Sequence, residues 1–194
     1  MTELKTEHKI IKLIFKKIES SGWENFNFNE FSREYKIPIV KIRHFFVNKN
    51  QIITKFSKMI DFYVEQKISA DDINMSSIKD NLFELIMLRF EEMEDYKISL
   101  RIITQSLANN PLLLSRVSKN ILNSLDFYLE LSQGYDRSSL DLFKKNILFL
   151  VYSYCFNVWL NDSTPDLSST MAELDKLLSM AENFSKKFKE FLPI

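Results

Sequence analysis

Apolar residues recur along most of this chain at the three- and four-residue spacing of a helix face. Ile11, Ile14, Phe15 and Ile18 make the first such stripe and predict a helix over about 6–20, which Gly22 ends. Asn27 and Glu30 have the spacing of a capping box, and Phe26 and Phe31 hold the positions of a hydrophobic staple, so a second helix begins at Asn27. That helix is short, because Pro38 disfavours a helical conformation at Ile37. Proline is itself acceptable in a first helical turn, and a third short helix is expected over about 38–46. Two short helices joined by a tight turn after a longer one make a trihelical helix-turn-helix unit. Phe28, Phe31, Tyr35, Ile42, Phe45 and Phe46 would fill its core.

From Asn50 the helices lengthen. A fourth carries Ile52, Phe56, Met59, Ile60 and Tyr63 up to a loop over 69–77. The fifth to eighth follow over about 77–95, 98–108, 111–133 and 139–161, with a turn over 134–138 before the last of these. A proline-containing break over 162–166 precedes a ninth helix with Met171, Leu174, Leu178, Ala181, Phe184, Phe188 and Phe191 on one stripe. The eighth is apolar nearly all round between Ile147 and Leu160, yet falls short of the roughly 18 to 20 residues that span a bilayer. Two glycines and four prolines leave little punctuation for sheets. The expected fold is all-α with about nine helices. Residues 1–60 would form the helix-turn-helix domain and residues 61–194 a larger helical domain.

Charge divides the chain in the same way. The formal net charge is zero, but residues 1–60 hold twelve Lys/Arg against six Asp/Glu, and residues 61–194 hold fourteen against twenty. Between Glu34 and Asp61 there is no acidic residue, while Lys36, Lys41, Arg43, Lys49, Lys55 and Lys58 all fall there. A positive end on a negative body suits contact with a polyanion. The plainer reading is a solvated lysine-rich surface. The lone Cys155 lies in an apolar run, which leaves no intramolecular disulfide and fits a reducing, cytoplasmic setting. Glu3 and Glu7 at an N-terminus without an apolar run argue against a secretory or transit signal. With two histidines, no glycine loop and no metal-ligand spacing, neither an enzyme nor a cofactor is expected.

The stretch from Asn27 through Lys36-Ile-Pro-Ile-Val-Lys-Ile-Arg43 to His44-Phe-Phe-Val-Asn-Lys49 resembles the helix-turn-helix of TetR-family regulators, over roughly residues 8–56. That family has a capped helix, a turn, a short recognition helix ending in aromatics, and then a small polar residue and a lysine. Gly22-Trp23 sits where the family often has a glycine and an aromatic. Three positions depart from the pattern: Lys36 stands at the usual turn glycine, Pro38 at the usual hydroxyl cap, and Arg43 at the usual tyrosine. Loss of the hydroxyl removes one phosphate contact, and Lys36 is asked to adopt a left-handed conformation. A second resemblance runs from Trp159 through Asp162-Ser-Thr-Pro-Asp166 to Asp175 and is similar to the closing segment of the COQ9 family, which shares the fold. It implies an alternative role as a lipid-binding accessory protein in ubiquinone biosynthesis.

The first resemblance implies a dimeric, ligand-responsive transcriptional regulator, a repressor by expectation, whose partner is double-stranded DNA. The helix after Pro38 would offer Ile39, Val40, Lys41, Arg43 and His44 to the major groove, with Arg43 on a guanine edge and Ile39 or Val40 on thymine methyls. Lys36, Lys49 and Lys55 would hold phosphates. Alternatively Ile39 and Val40 pack inward and no base is read. Phe62, Met87, Phe90, Met93, Tyr128 and Tyr152 are candidate walls for an apolar small-molecule or lipid ligand, or ordinary core. Val151, Tyr154, Cys155, Val158 and Trp159, with Leu174, Leu178 and Ala181, are candidates for a two-fold homodimer interface, or for a buried monomeric core. Phe184, Phe188 and Phe191 with Lys186, Lys187 and Lys189 form a basic amphipathic end that either packs on its own domain or lies on a membrane surface.

Overall fold

In a computed structural model, residues 2–136 and 141–191 are described. They form α-helices and one 3-10 turn, with no strand among the described residues, as the apolar spacing predicts. The helices are α1 (Thr2–Ser21), α2 (Phe28–Glu34), α3 (Ile39–Phe45), α4 (Asn50–Lys67), α5 (Ala70–Met75), α6 (Ile78–Met93), α7 (Lys97–Leu107), α8 (Pro111–Leu131), α9 (Asp141–Asn161) and α10 (Ser168–Phe191). α1 starts four residues earlier than expected: nothing in its first turn breaks a helix, and Glu3 suits the positive end of the helix dipole. α5 falls inside the expected loop. The expected eighth-helix start at residue 139 lies outside the described residues. Among the described residues, no helix is long and apolar enough to cross a membrane.

By packing, the chain divides into two compact units, residues 1–62 with 93–120, and residues 63–92 with 121–194. In the first unit Ile10, Ile11, Ile14, Phe15 and Ile18 bury one face of α1. Phe15 stacks on Phe56 of α4 at 4.1 Å and meets Tyr96 edge-on at 5.4 Å. Ser99 of α7 donates to the Phe15 carbonyl at 3.0 Å, and Asn120 of α8 to the Thr54 hydroxyl at 3.2 Å, so residues 93–120 complete this unit. Gly22 closes α1 in a left-handed conformation (φ +77). The Asn27 side chain accepts from the Glu30 backbone N–H at 2.9 Å, and Phe26 packs near Phe31 with ring centroids 5.8 Å apart: the expected cap and staple. Asn27→Ala is expected to lower stability by about 1 kcal/mol in denaturant unfolding, the usual value of such a cap. A change under about 0.3 kcal/mol would show that tertiary packing alone sets the start of α2.

In the second unit Phe90 of α6 lies parallel to Tyr152 at 5.3 Å and to Trp159 at 5.6 Å, making an aromatic core with α9. Arg89 is buried in the same core at 3% exposure, and its guanidinium donates to the hydroxyls of Tyr152 (3.1 Å) and Tyr128 (3.4 Å). A buried arginine needs such acceptors, and the two phenol oxygens are among its partners. Before α10, the buried Asp162 carboxylate accepts four hydrogen bonds, from the backbone N–H and hydroxyl of Thr164 (3.0 and 2.6 Å) and of Thr170 (2.8 and 2.7 Å). Burial by itself would raise its pKa; the four donors outweigh that and hold the carboxyl well below the usual carboxylate range. Asp162 therefore caps α10 and closes the break.

Candidate nucleic-acid interface

The turn between α2 and α3 is built by local chemistry. Tyr35 ends α2, and Lys36 takes a left-handed conformation (φ +52), the one a glycine would adopt most readily. The Ser32 hydroxyl donates to the Ile37 carbonyl at 2.7 Å, and the Ile37 N–H donates to the Ser32 carbonyl at 3.1 Å, which fixes the turn despite the missing glycine. Pro38 then occupies the N-cap of α3 without a side-chain capping bond. Ser32 escapes a sequence reading because its partner lies five residues on, across the turn.

α3 has two distinct faces. Ile42 and Phe45 point inward with Phe46, joined by Phe28 and Phe31 of α2. Phe28 and Phe46 stack at 6.2 Å, so aromatic packing fixes the angle between the two short helices. The other face carries Val40, which is 78% exposed, together with exposed Lys41, Arg43 and His44; Ile39 is half-buried at the edge. Lys36 is exposed beside them. Val47, 66% exposed, continues this surface.

The basic side chains are not equally available. Lys41 projects into solvent. Arg43 donates to the Val47 carbonyl at 2.6 Å and its guanidinium lies 5.1 Å from the centre of the Phe28 ring, so it is folded along the helix end. Reaching a guanine edge requires it to give up that bond, a net cost of about 1 kcal/mol. The His44 Nε2 stands 3.5 Å from a Glu3 carboxylate oxygen, a contact that exists because α1 begins at Thr2. Lys49 lies over the Trp23 ring at 4.6 Å and donates to the Glu24 carbonyl at 3.2 Å; burial lowers its pKa. Lys55 is paired with the Glu7 carboxylate and lies near the rings of Phe45 and Phe46. Lys49 and Lys55 thus pin the α3–α4 corner, whereas Lys36, Val40, Lys41, Arg43 and His44 share one exposed surface.

In the second unit, Met87, Phe90, Tyr128 and Tyr152 are all buried in the core around Arg89. Met93 and Phe62 fall in the first unit, Met93 buried and Phe62 half-buried with its ring 5.5 Å from His8. A cavity of about 330 Å³ opens among α6, α8, α9 and α10, and Val151, Leu178 and Ala181 help to line it. Cys155, Trp159 and Leu174 are fully buried within their own chain, and burial pushes the Cys155 thiol up to about 11. Tyr154 is exposed and Val158 half-buried. Exposed Phe143, Leu150 and Tyr154, with half-buried Ile147 and Val158, make an outward stripe on α9, and exposed Met180 and Phe184 extend it on α10. Phe143, Leu150, Met180 and Phe184 are absent from the sequence-based interface, because an all-round apolar helix does not reveal which side a neighbour covers. The side chains of Phe188, Lys189 and Phe191 lie outside the described residues; Lys186 is paired with Glu182.

No protein-family model matches the chain, and no curated protein matches it by sequence. Solved structures do match. The TetR transcriptional regulator from Nitrosomonas europaea superposes with a TM-score of 0.76 at 15% identity, over 91% of this chain and 98% of that one. The transcriptional regulator FadR from Bacillus subtilis, in complex with stearoyl-CoA, superposes with a TM-score of 0.61 at 21% identity, over 88% and 96%. The chain therefore has the fold of TetR-type regulators. Nothing in these matches supports the COQ9-like resemblance, and the capping role of Asp162 gives its Asp-Ser-Thr-Pro-Asp segment a structural purpose.

Proposed function

We propose that this chain is a DNA-binding transcriptional regulator, acting as a homodimer in the cytoplasm, ligand-responsive and a repressor. The observation that carries the reading is the outward face of α3: a short helix held rigidly by aromatic packing presents Val40, Lys41, Arg43 and His44 together, in a segment free of acidic residues from 35 to 60. A helix of this kind fits the major groove, with Lys41 and Arg43 offering phosphate or guanine contacts and Val40 a thymine methyl contact. Lys36, at the turn, is placed for a phosphate. Residues 1–60 would be the DNA-binding domain and residues 61–194 the part that binds ligand and pairs the two copies. Dimerisation rests on the stripe of Phe143, Leu150 and Tyr154 on α9 with Met180 and Phe184 on α10, which two-fold symmetry would cover as a four-helix contact. The FadR structure, carrying stearoyl-CoA, supports a ligand with a long aliphatic part for the larger domain.

The reading is tested by titrating the full chain with duplex DNA across a range of salt. Each phosphate neutralised contributes about −0.9 to the slope of log affinity against log salt. A slope steeper than about −3 is expected for a dimer holding several phosphates, whereas binding indifferent to salt would contradict it.

A further inference from the structure

The cavity in the second unit is walled by Leu82 of α6, Leu129 of α8, Ile147 and Val151 of α9, and Leu178 and Ala181 of α10. We infer that it binds one uncharged, mainly aliphatic molecule carrying a single hydroxyl or carbonyl, an inference that, as an effector site, rests on the ligand-responsive reading above. Its volume of about 330 Å³ is at the small end of ligand pockets, which suits a chain on the order of ten carbons with one polar end.

Charge decides against an anion. Among the described residues, each lysine at the rim is already paired with a carboxylate. Lys79 is 2.8 Å from Asp175; Lys144 is 2.9 Å from both Asp136 and Asp141; Lys186 is 2.9 Å from Glu182. Burial would lower the pKa of Lys144, but its two carboxylates outweigh burial and hold it charged. Those three lysines face four carboxylates, Asp136, Asp141, Asp175 and Glu182, so a carboxylate or phosphate entering here would add a further negative charge beside them or lie against apolar walls. The Ser185 hydroxyl on the lining suits one hydroxyl or carbonyl.

The test is calorimetric titration of the full chain with 1-decanol, decanoate and decanoyl-CoA. Decanol should bind one per chain, with decanoate and decanoyl-CoA at least about tenfold weaker because their charge meets the carboxylates already at the rim. Ala181→Leu, which fills the cavity from α10, should weaken decanol about tenfold or more, and Ile147→Ala, which enlarges it, should move the preference to 1-dodecanol. Decanoate or decanoyl-CoA binding as tightly as decanol, decanol failing to bind, or decanol binding that ignores both substitutions would each overturn the inference. DNA titration of the same samples separates the two readings: decanol bound by a protein that does not bind DNA supports the site and removes the regulator.

Discussion

Asp162→Ala lowers stability by about 3 kcal/mol at pH 7, a large share of the roughly 5–15 kcal/mol that holds a typical domain folded. The carboxylate takes four hydrogen bonds, two from backbone N–H groups, and Thr170 is fully buried, so its N–H and hydroxyl would be left without water. Its folded pKa lies below the unfolded value near 3.9, so its contribution is fully present above about pH 4 and is lost as pH falls through the folded value. The gap between the parent chain and Asp162→Ala should be flat from pH 7 to about 5 and narrow below about 4. Denaturant unfolding at several pH values reads this directly. A gap under about 1 kcal/mol at neutral pH, or one that stays full at pH 3, would show that the break is held by other contacts.

In the proposed dimer, Leu150→Asp combined with Tyr154→Asp should give a monomer, raising the dissociation constant by more than about a thousandfold, because two-fold symmetry places like charges together in a dry apolar contact. The protomer itself should barely notice. Leu150 is 66% and Tyr154 53% exposed, and substitutions at such positions usually change folding stability by less than about 0.5 kcal/mol. Sedimentation gives the mass, and thermal unfolding of the monomer checks the fold. DNA affinity should fall as well, since a monomer reaches one half-site. A double variant that sediments as the parent does would place the pairing surface elsewhere.

What the sequence disclosed was set by distance along the chain. The Asn27 cap, the Phe26–Phe31 staple and the strained Lys36 are local arrangements whose partners lie within a few residues, and all are found as expected. The N-terminal extension of α1 and the short α5 carry no apolar stripe to announce them. The partners of Lys49 and Lys55, the Glu24 carbonyl and the Glu7 carboxylate, are 25 and 48 residues away, so in the sequence both lysines look like open cations although each has a protein neighbour in the fold. Arg89 is the converse: a buried charge that donates to two tyrosines 39 and 63 residues distant. The apolar excess of α9 is plain in the sequence. Which of its residues face the cavity, the core or the outside depends on how α6, α8 and α10 pack on it, and that is settled only by the fold.

The most direct measurement is the affinity of the parent chain and of a Lys41→Ala, Arg43→Ala variant for duplex DNA flanking its own gene, beside duplex of random sequence. Both side chains lie on the exposed face of α3, and Arg43 also leans on Phe28, so circular dichroism of the variant must first match the parent. The account predicts selective binding to the flanking DNA that weakens steeply with salt. The variant should lose about a hundredfold in affinity, along with the selectivity, as expected for one base contact and one phosphate contact removed. Weak binding without preference for either DNA, unchanged by the two substitutions, would contradict it.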